Sequence, residues 1–290
     1  MNRPRTSFRL ELSTNQSWNI TAEDPVRAWA ERLAGILQLP RGEIQGSPRL
    51  IFKKKGAQME PVPAGDWKSL HLMEMVVRSQ TQGAEVICEV QSESPDLMGI
   101  WESVYPIYCR ALHCGGLPIH AGLIERNGEG VLLGGISNSG KTTCCRRIPL
   151  PWRVLCDEES LILLDRERET YTVHPFPTWS LLGELKAAPS WPSWDVRSTA
   201  PLRAVFFIEK SDGDAVEALG RGVTAMKIFS LADEKCHLNW DGISRKERVS
   251  HRERLFENAC RMAEAVPGYI LRVSRSGRFW TKLDEALAHG

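Results

Sequence analysis

The stretch Gly134 to Cys145 reads GGISNSGKTTCC. Within it, Gly135, Gly140, Lys141 and Thr142 meet the spacing G-x-x-x-x-G-K-[ST], which signals phosphate binding when a strand precedes it and a helix follows. Both neighbours are expected here. Val131 to Leu133 is an apolar run leading into the loop, and KTTCCRRI reads as a short helix ended by Pro149. Glycines let successive backbone N–H groups turn inward on phosphate oxygens. The start of the helix adds partial positive charge. Lys141 would neutralise β- and γ-phosphate charge, and the Thr142 hydroxyl would hold Mg²⁺. The expected nucleotide contacts are Gly135, Ser137, Asn138, Ser139, Gly140, Lys141, Thr142 and Thr143. The plainer alternative is a Gly/Ser turn with an exposed lysine.

A phosphate cradle needs carboxylates to do chemistry. RVLCDEES follows after one short helix, with Asp157, Glu158 and Glu159 behind a short apolar run. A strand ending at Cys156 would bring Asp157 near the loop, where it can bind Mg²⁺ or accept a substrate proton. Glu158 is a second metal candidate. Glu159 is expected to be solvated, as most of an acidic turn would be. Upstream, His120 in PIHAG opens the segment that leads into the loop. Folded back beside that strand, it could pair with Asp157 and tune its basicity; a structural histidine is the alternative.

Other elements must position these groups. Asn127-Gly128 joins two apolar runs in GLPIHAGLIERNGEGVLLGG, a strong hairpin signal. In the N-terminal third, SFRLEL, RLIFKKK, WKSLHLMEMVV and AEVICEV each read as a strand. EDPVRAWAERLAGILQL reads as a helix with Asp24 as cap and Pro25 in its first turn. SPDLMGIWESVYPIYCRAL reads as another, capped by Ser94 and kinked at Pro106. The organisation suggests a small α+β region over 1–113 and a nucleotide-binding domain over 114–290. Downstream, ISRKERVSHRERLFENACRMAEAV reads as a charged helix with Leu255, Phe256, Ala259, Met262 and Ala263 inward and its basic residues on a solvated face; the alternative is that Arg245, Arg248, Arg252 and Arg254 steer an acidic peptide. Trp179, Trp191 and Trp194 cluster in a Pro-rich stretch; most are expected to be packing residues, with a lid or peptide-binding edge as the alternative.

Composition sets outer bounds. The chain has 290 residues, 42% hydrophobic and 25% charged, which is ordinary for a globular protein. A net charge of +1 gives no overall pull toward nucleic acid or acidic membranes. No apolar run is long enough to span a bilayer. MNRPRTSFRLELS has charge but no apolar segment behind it, so no signal peptide is expected. Eight scattered cysteines, none in a C-x-x-C, suit compact reduced thiols. A cytoplasmic protein is the expectation.

PIHAGLIERNGEGVLLGGISNSGKTT followed by RVLCDEES resembles the core of HPr kinase/phosphorylase-related proteins, over about Leu117 to Lys210. The resemblance implies an α/β fold: a P-loop core with a mixed sheet, like the nucleotide-binding domain of phosphoenolpyruvate carboxykinase, behind a small α+β N-terminal unit. It implies ATP and Mg²⁺ as cofactors. His120 matches the family's active-site histidine, Asp157 its catalytic and metal-binding aspartate, and Glu158 its second acid. Two family features have no counterpart here, an E-x-R-G-x-G stretch and a late P-G-R-N-type loop, and Thr143 stands where Glu is usual. Phosphorolysis and recognition of the carrier protein HPr are therefore not implied. Among these relatives the chain is most similar to a type encoded in bacterial gene cassettes with radical-SAM enzymes and a short precursor peptide. The expected activity is transfer of the ATP γ-phosphoryl to a Ser or Thr hydroxyl of such a peptide or of a protein, by an enzyme that can form homo-oligomers as its relatives do. A nucleotide-dependent scaffold and a small-molecule kinase remain alternatives.

Overall fold

The computed structural model describes residues 6–14, 16–56, 67–80, 84–180, 192–237 and 244–289. The chain divides into two units: Met1–Cys109 with Trp179–Arg197 and Asn239–Arg245, and Arg110–Thr178 with Ser198–Leu238 and Lys246–Gly290. Both are built on mixed sheets.

In the first unit, β1 (Ser7–Glu11), β2 (Ser17–Ala22), β3 (Arg49–Lys54), β4 (Trp67–His71), β5 (Met75–Gln80) and β6 (Glu85–Val90) form one sheet in the order β1-β2-β3-β6-β5-β4. The β2–β3 and β3–β6 pairs are parallel. A parallel neighbour needs a crossover, and α1 (Arg27–Ile36) supplies the one between β2 and β3. Its Trp29 stacks on Phe52 with ring centroids 5.7 Å apart.

Local expectations shift here for physical reasons. The N-cap of α1 is Val26, without a side-chain bond, and Asp24 engages the Arg27 guanidinium instead. WKSLHLMEMVV forms two strands, because the Glu102 carboxylate accepts the N–H groups of Met73 and Glu74 and holds a turn between β4 and β5. The single kinked helix is two: α2 (Leu97–Ser103), capped by Asp96 rather than Ser94, and α3 (Tyr105–His113). Pro106 sits in the first turn of α3, where a missing N–H costs nothing.

The second unit holds β7 (Leu117–Ile119), β8 (Ala121–Arg126), β9 (Glu129–Gly134), β10 (Arg153–Cys156), β11 (Glu159–Asp165), β12 (Thr170–Phe176), β13 (Ala200–Lys210), β14 (Ala215–Ala218) and β15 (Gly268–Val273). The path runs β10-β8-β9-β13-β12-β11-β7, with β15 also on β13 and β14 on β15. The long β13 serves two limbs. Its first residues pair with β12, which leads to β11 and β7, and most of its length runs parallel to β9 and β15.

The β8–β9 hairpin turns at Asn127 and Gly128, both at positive φ, as a two-residue turn of this kind requires. Short helix α4 (Lys141–Arg147) follows β9. It and α7 (Phe279–His289) cover one sheet face, with Val131, Leu133, Cys144, Phe206 and Leu283 in a shared core. Helix α5 (Arg221–His237) lies against β7 and the end of β9, where Leu231 occupies the space a side chain at Gly134 would need. Helix α6 (Arg245–Ala265) buries Leu255, Asn258, Ala259, Met262 and Ala263. Phe256 is not inward as expected. It is 43% exposed and meets Phe229 edge-on.

Asn258 takes the inward place because its amide donates to the Leu112 and Gly116 carbonyls, at 2.8 and 3.0 Å, where α3 gives way to β7. Asn258→Ala removes both donors from a buried position. It should destabilise the protein by about 1–3 kcal/mol, read as a lower midpoint in urea unfolding at unchanged slope.

Candidate active site

The two limbs of the second sheet explain where the candidate residues lie. Strand β7 pairs with β11, yet β8, which follows it directly, pairs with β9 and β10. His120 is the one residue between β7 and β8, so the chain changes limbs there. The same change recurs between β10, on β8, and β11, on β12 and β7. Asp157 and Glu158 are the residues between them. The switches lie close together. A side chain on Gly122 would come within 3.2 Å of the Asp157 Cα, and the Ser160 hydroxyl donates to the Ala121 carbonyl at 3.0 Å.

The glycine loop leaves β9 at the same end. Ala121 pairs with Gly134 in the last rung of that ladder, so His120 and Gly135 each adjoin its end. A Cβ at Gly135 would lie 2.4 Å from the Ser139 hydroxyl, and Gly140 holds a left-handed conformation at φ 108° before α4. Ile136, Ser137 and Asn138 are exposed, whereas Lys141 is only 7% exposed. Its ammonium folds back on the loop, donating to the carbonyls of Gly135 at 2.6 Å and Ile136 at 3.3 Å. Burial draws the Lys141 pKa down, while the charges of Glu234, Glu158 and Asp157 push it back up. Thr142 is half-buried and Thr143 exposed, both in the first turn of α4.

Asp157 accepts a hydrogen bond on Oδ1 from the Thr178 hydroxyl at 2.5 Å. Its Oδ2 has no hydrogen-bond partner among the described residues. Glu158 is half-buried, and its charge reaches Lys141. Glu159 is not solvated as expected. It is 0% exposed and forms an ion pair with Lys235, itself 10% exposed. The physical reason is position: Glu159 opens β11 and lies beneath the last turns of α5.

His120 pairs with Glu234 rather than with Asp157. Its Nδ1 lies 3.0 Å from Glu234 Oε1, and its backbone N–H reaches the Leu231 carbonyl at 3.3 Å. Burial lowers the His120 pKa. Lys141 and Lys235 lower it further, and Glu234 acts in the opposite sense. The net direction favours the neutral imidazole.

Sequence reasoning missed Glu234, Lys235 and Thr178. The first two were findable. Ala225, Ile228, Leu231, Ala232 and Cys236 repeat at helical spacing and define the buried stripe of α5, with Glu234 and Lys235 beside it. Thr178 carries no such signal. Of the aromatic stretch, Trp179 is buried, Trp194 is half-buried, and Trp191 lies outside the described residues. Of the basic residues on α6, Arg252 is committed to Asp233 and to the face of Phe229.

Among the described residues no group of three or more His, Cys, Asp and Glu side chains is gathered closely enough to hold a metal by itself. A cation shared with phosphate oxygens needs only one or two protein ligands. Thr142, Asp157 and Glu158 fit that lesser demand. The neighbouring thiols do not contribute, because burial pushes Cys144 and Cys156 up to about 11 and keeps them protonated.

The fold and site define a mixed α/β protein whose glycine loop, buried lysine, carboxylates and neutral histidine meet where two limbs of one sheet exchange strands. A family model, SynChlorMet cassette protein ScmC, matches residues 86–288. That is well over half of the chain, and the chain belongs to this family. The family's name places it in a gene cassette. A search of curated proteins gave no match. No described helix is long and apolar enough to cross a membrane.

The Glu159–Lys235 pair yields a direct test. Lys235→Met leaves a carboxylate buried without its ammonium partner and should cost about 3–5 kcal/mol in chemical denaturation. Adding Glu159→Gln or Glu159→Met should recover most of that loss, because the two residues act as one unit.

Proposed function

We propose that this chain is an ATP-binding phosphotransferase related to the HPr kinases, with a P-loop core like that of phosphoenolpyruvate carboxykinase. It moves the γ-phosphoryl of ATP to a Ser or Thr hydroxyl of a ribosomally made peptide or a protein of its cassette. One observation carries the reading: Lys141 at the start of α4, His120 between β7 and β8, and Asp157 and Glu158 between β10 and β11 converge on a loop suited to close around an anion. Gly135 leaves no room for a side chain and Gly140 takes a conformation that favours glycine, as a loop needs if its amides are to turn toward phosphate.

The roles follow from residue chemistry. Lys141 exchanges its bonds to the Gly135 and Ile136 carbonyls for phosphate oxygens. The half-buried Thr142 hydroxyl, with Asp157 or Glu158, would hold Mg²⁺, which when bound neutralises developing charge on the phosphates. Thr178 fixes Asp157 so that Oδ2 remains for the cation or for the acceptor hydroxyl. A Ser/Thr acceptor rests on kinship with HPr kinases, and the peptide on the gene-cassette setting.

The test is phosphotransfer from Mg-ATP to the precursor peptide of the same cassette, read as peptide mass, beside ATP binding by calorimetry. One added phosphate is expected with the natural chain. Asp157→Asn should abolish the gain and leave ATP bound, while Lys141→Ala should weaken ATP binding at least tenfold. ATP binding without phosphate on the peptide would favour a nucleotide-dependent scaffold. Phosphate on a small metabolite instead would favour a small-molecule kinase.

A further inference from the structure

Helix α5 brings a carboxylate to His120. Glu234 Oε1 lies 3.0 Å from His120 Nδ1, while His120 Nε2 has no hydrogen-bond partner among the described residues. A carboxylate accepts and does not donate, so a neutral imidazole on it carries its proton on Nδ1. Nε2 is then a bare acceptor. Such an imidazole cannot donate a hydrogen bond from Nε2 to Asp157, as a histidine supporting an aspartate base would. It can take a proton itself.

We propose that His120 is the proton acceptor of this site and that Glu234 is its positioning residue, which leaves Asp157 to cation binding. The inference rests on the phosphotransfer reading and changes where the proton goes. The acceptor oxygen forms a bond to the γ-phosphorus, and the bond from that phosphorus to the β,γ-bridging oxygen breaks. The bridging oxygen leaves on ADP with the electron pair. The acceptor's O–H proton moves to His120 Nε2. The imidazolium so formed keeps its Nδ1–H on Glu234, whose negative charge stabilises it.

Three further observations support the assignment. His120 adjoins the last rung of the β8–β9 ladder, where Gly134 leads into the loop, and the charge of Lys141 reaches its imidazole. Its backbone N–H is tied to Leu231 of the helix that carries Glu234, so residue and partner move together. Lys235, next in sequence, is anchored on buried Glu159, which fixes the helix turn that presents Glu234. The charges facing the imidazole are Glu234 and Lys235 from α5 and Lys141 from α4.

The experiment has two arms. In the first, ¹⁵N-histidine NMR of the full chain without nucleotide reads the tautomer of His120, assigned with His120→Asn. The expected result is a protonated Nδ1 and a bare Nε2. A proton on Nε2 would overturn the proposal whatever the activity. The second arm uses Mg-ATP with water as acceptor, so no peptide need be known. Glu234→Gln, at a side chain 40% exposed, should fold normally. It should lower ATP turnover roughly 10- to 100-fold with the ATP dissociation constant within about twofold, and His120→Asn should lower turnover about 10²- to 10⁴-fold. The double variant should be no slower than His120→Asn. A Glu234→Gln chain that turns over ATP at the natural rate, or that loses rate only through weaker ATP binding, sinks the role given to Glu234. A natural chain that binds ATP, does not turn it over with water and adds no phosphate to the cassette peptide sinks the phosphotransfer reading itself.

Discussion

A carboxylate with no exposed surface needs its lost hydration replaced, and Glu159 has the Lys235 ammonium for this. This pair organises the second unit's polar end. Glu159 is the first residue of β11, directly after the switch from one sheet limb to the other, and Lys235 is near the end of α5. Once they meet, the helix has little freedom to rotate or slide. Glu234 must then face His120, and Leu231 must sit against Gly134 and offer its carbonyl to the His120 N–H. Replacing a buried ion pair with well-packed apolar side chains often costs no stability. What the pair provides here is a fixed place for its neighbours, which apolar contacts specify less sharply.

The limb switches account for the location of the polar residues. Within a ladder, a backbone N–H is satisfied by the next strand. At a switch the neighbour changes, and the backbone must find another partner or remain open. His120 uses the Leu231 carbonyl, and the Cys156 thiol reaches the Glu159 carbonyl across the 157–158 turn. Both switches also stand at the end of β9 that opens into the glycine loop, because β8 is shared between β9 and β10. One strand therefore brings histidine, carboxylates and loop to one place. Gly122, in that strand, is what lets the turn at Asp157 approach so closely.

What could be read in the sequence was local. Asn127-Gly128 announced its hairpin, and the strand, glycine loop and short helix fall where the spacing put them. The positions of His120 and Asp157 beside the loop were also legible, since short connections leave few alternatives. The partners of these residues were not. Glu234 lies 114 positions from His120, and no local pattern links them. Glu159 looked solvated because an acidic triplet usually is, and only the placement of α5 overhead reverses that. Phe256 and Asn258 show the same limit on one helix. Apolar character favoured the phenylalanine, but two carbonyls at the start of β7 selected the asparagine. In the first unit the helix starts missed by two residues: Asp24 engages Arg27 and leaves Val26 at the cap of α1, and the Asp96 side chain rather than that of Ser94 accepts the Gly99 N–H.

The charge balance at the loop bears on how a nucleotide could enter. Asp157, Glu158, Glu159 and Glu234 bring four carboxylates, against the two ammonium groups of Lys141 and Lys235 and a neutral His120. A half-buried excess of carboxylates would repel a bare triphosphate, and that setting weakens screening by salt. Lys141 alone cannot reverse the field, because it is already balanced against Glu234, Glu158 and Asp157. Under the proposed reading, a triphosphate would need a divalent cation shared with Asp157 or Glu158 to offset this charge. Glu234, turned toward the imidazole, remains outside that exchange and keeps its charge for His120.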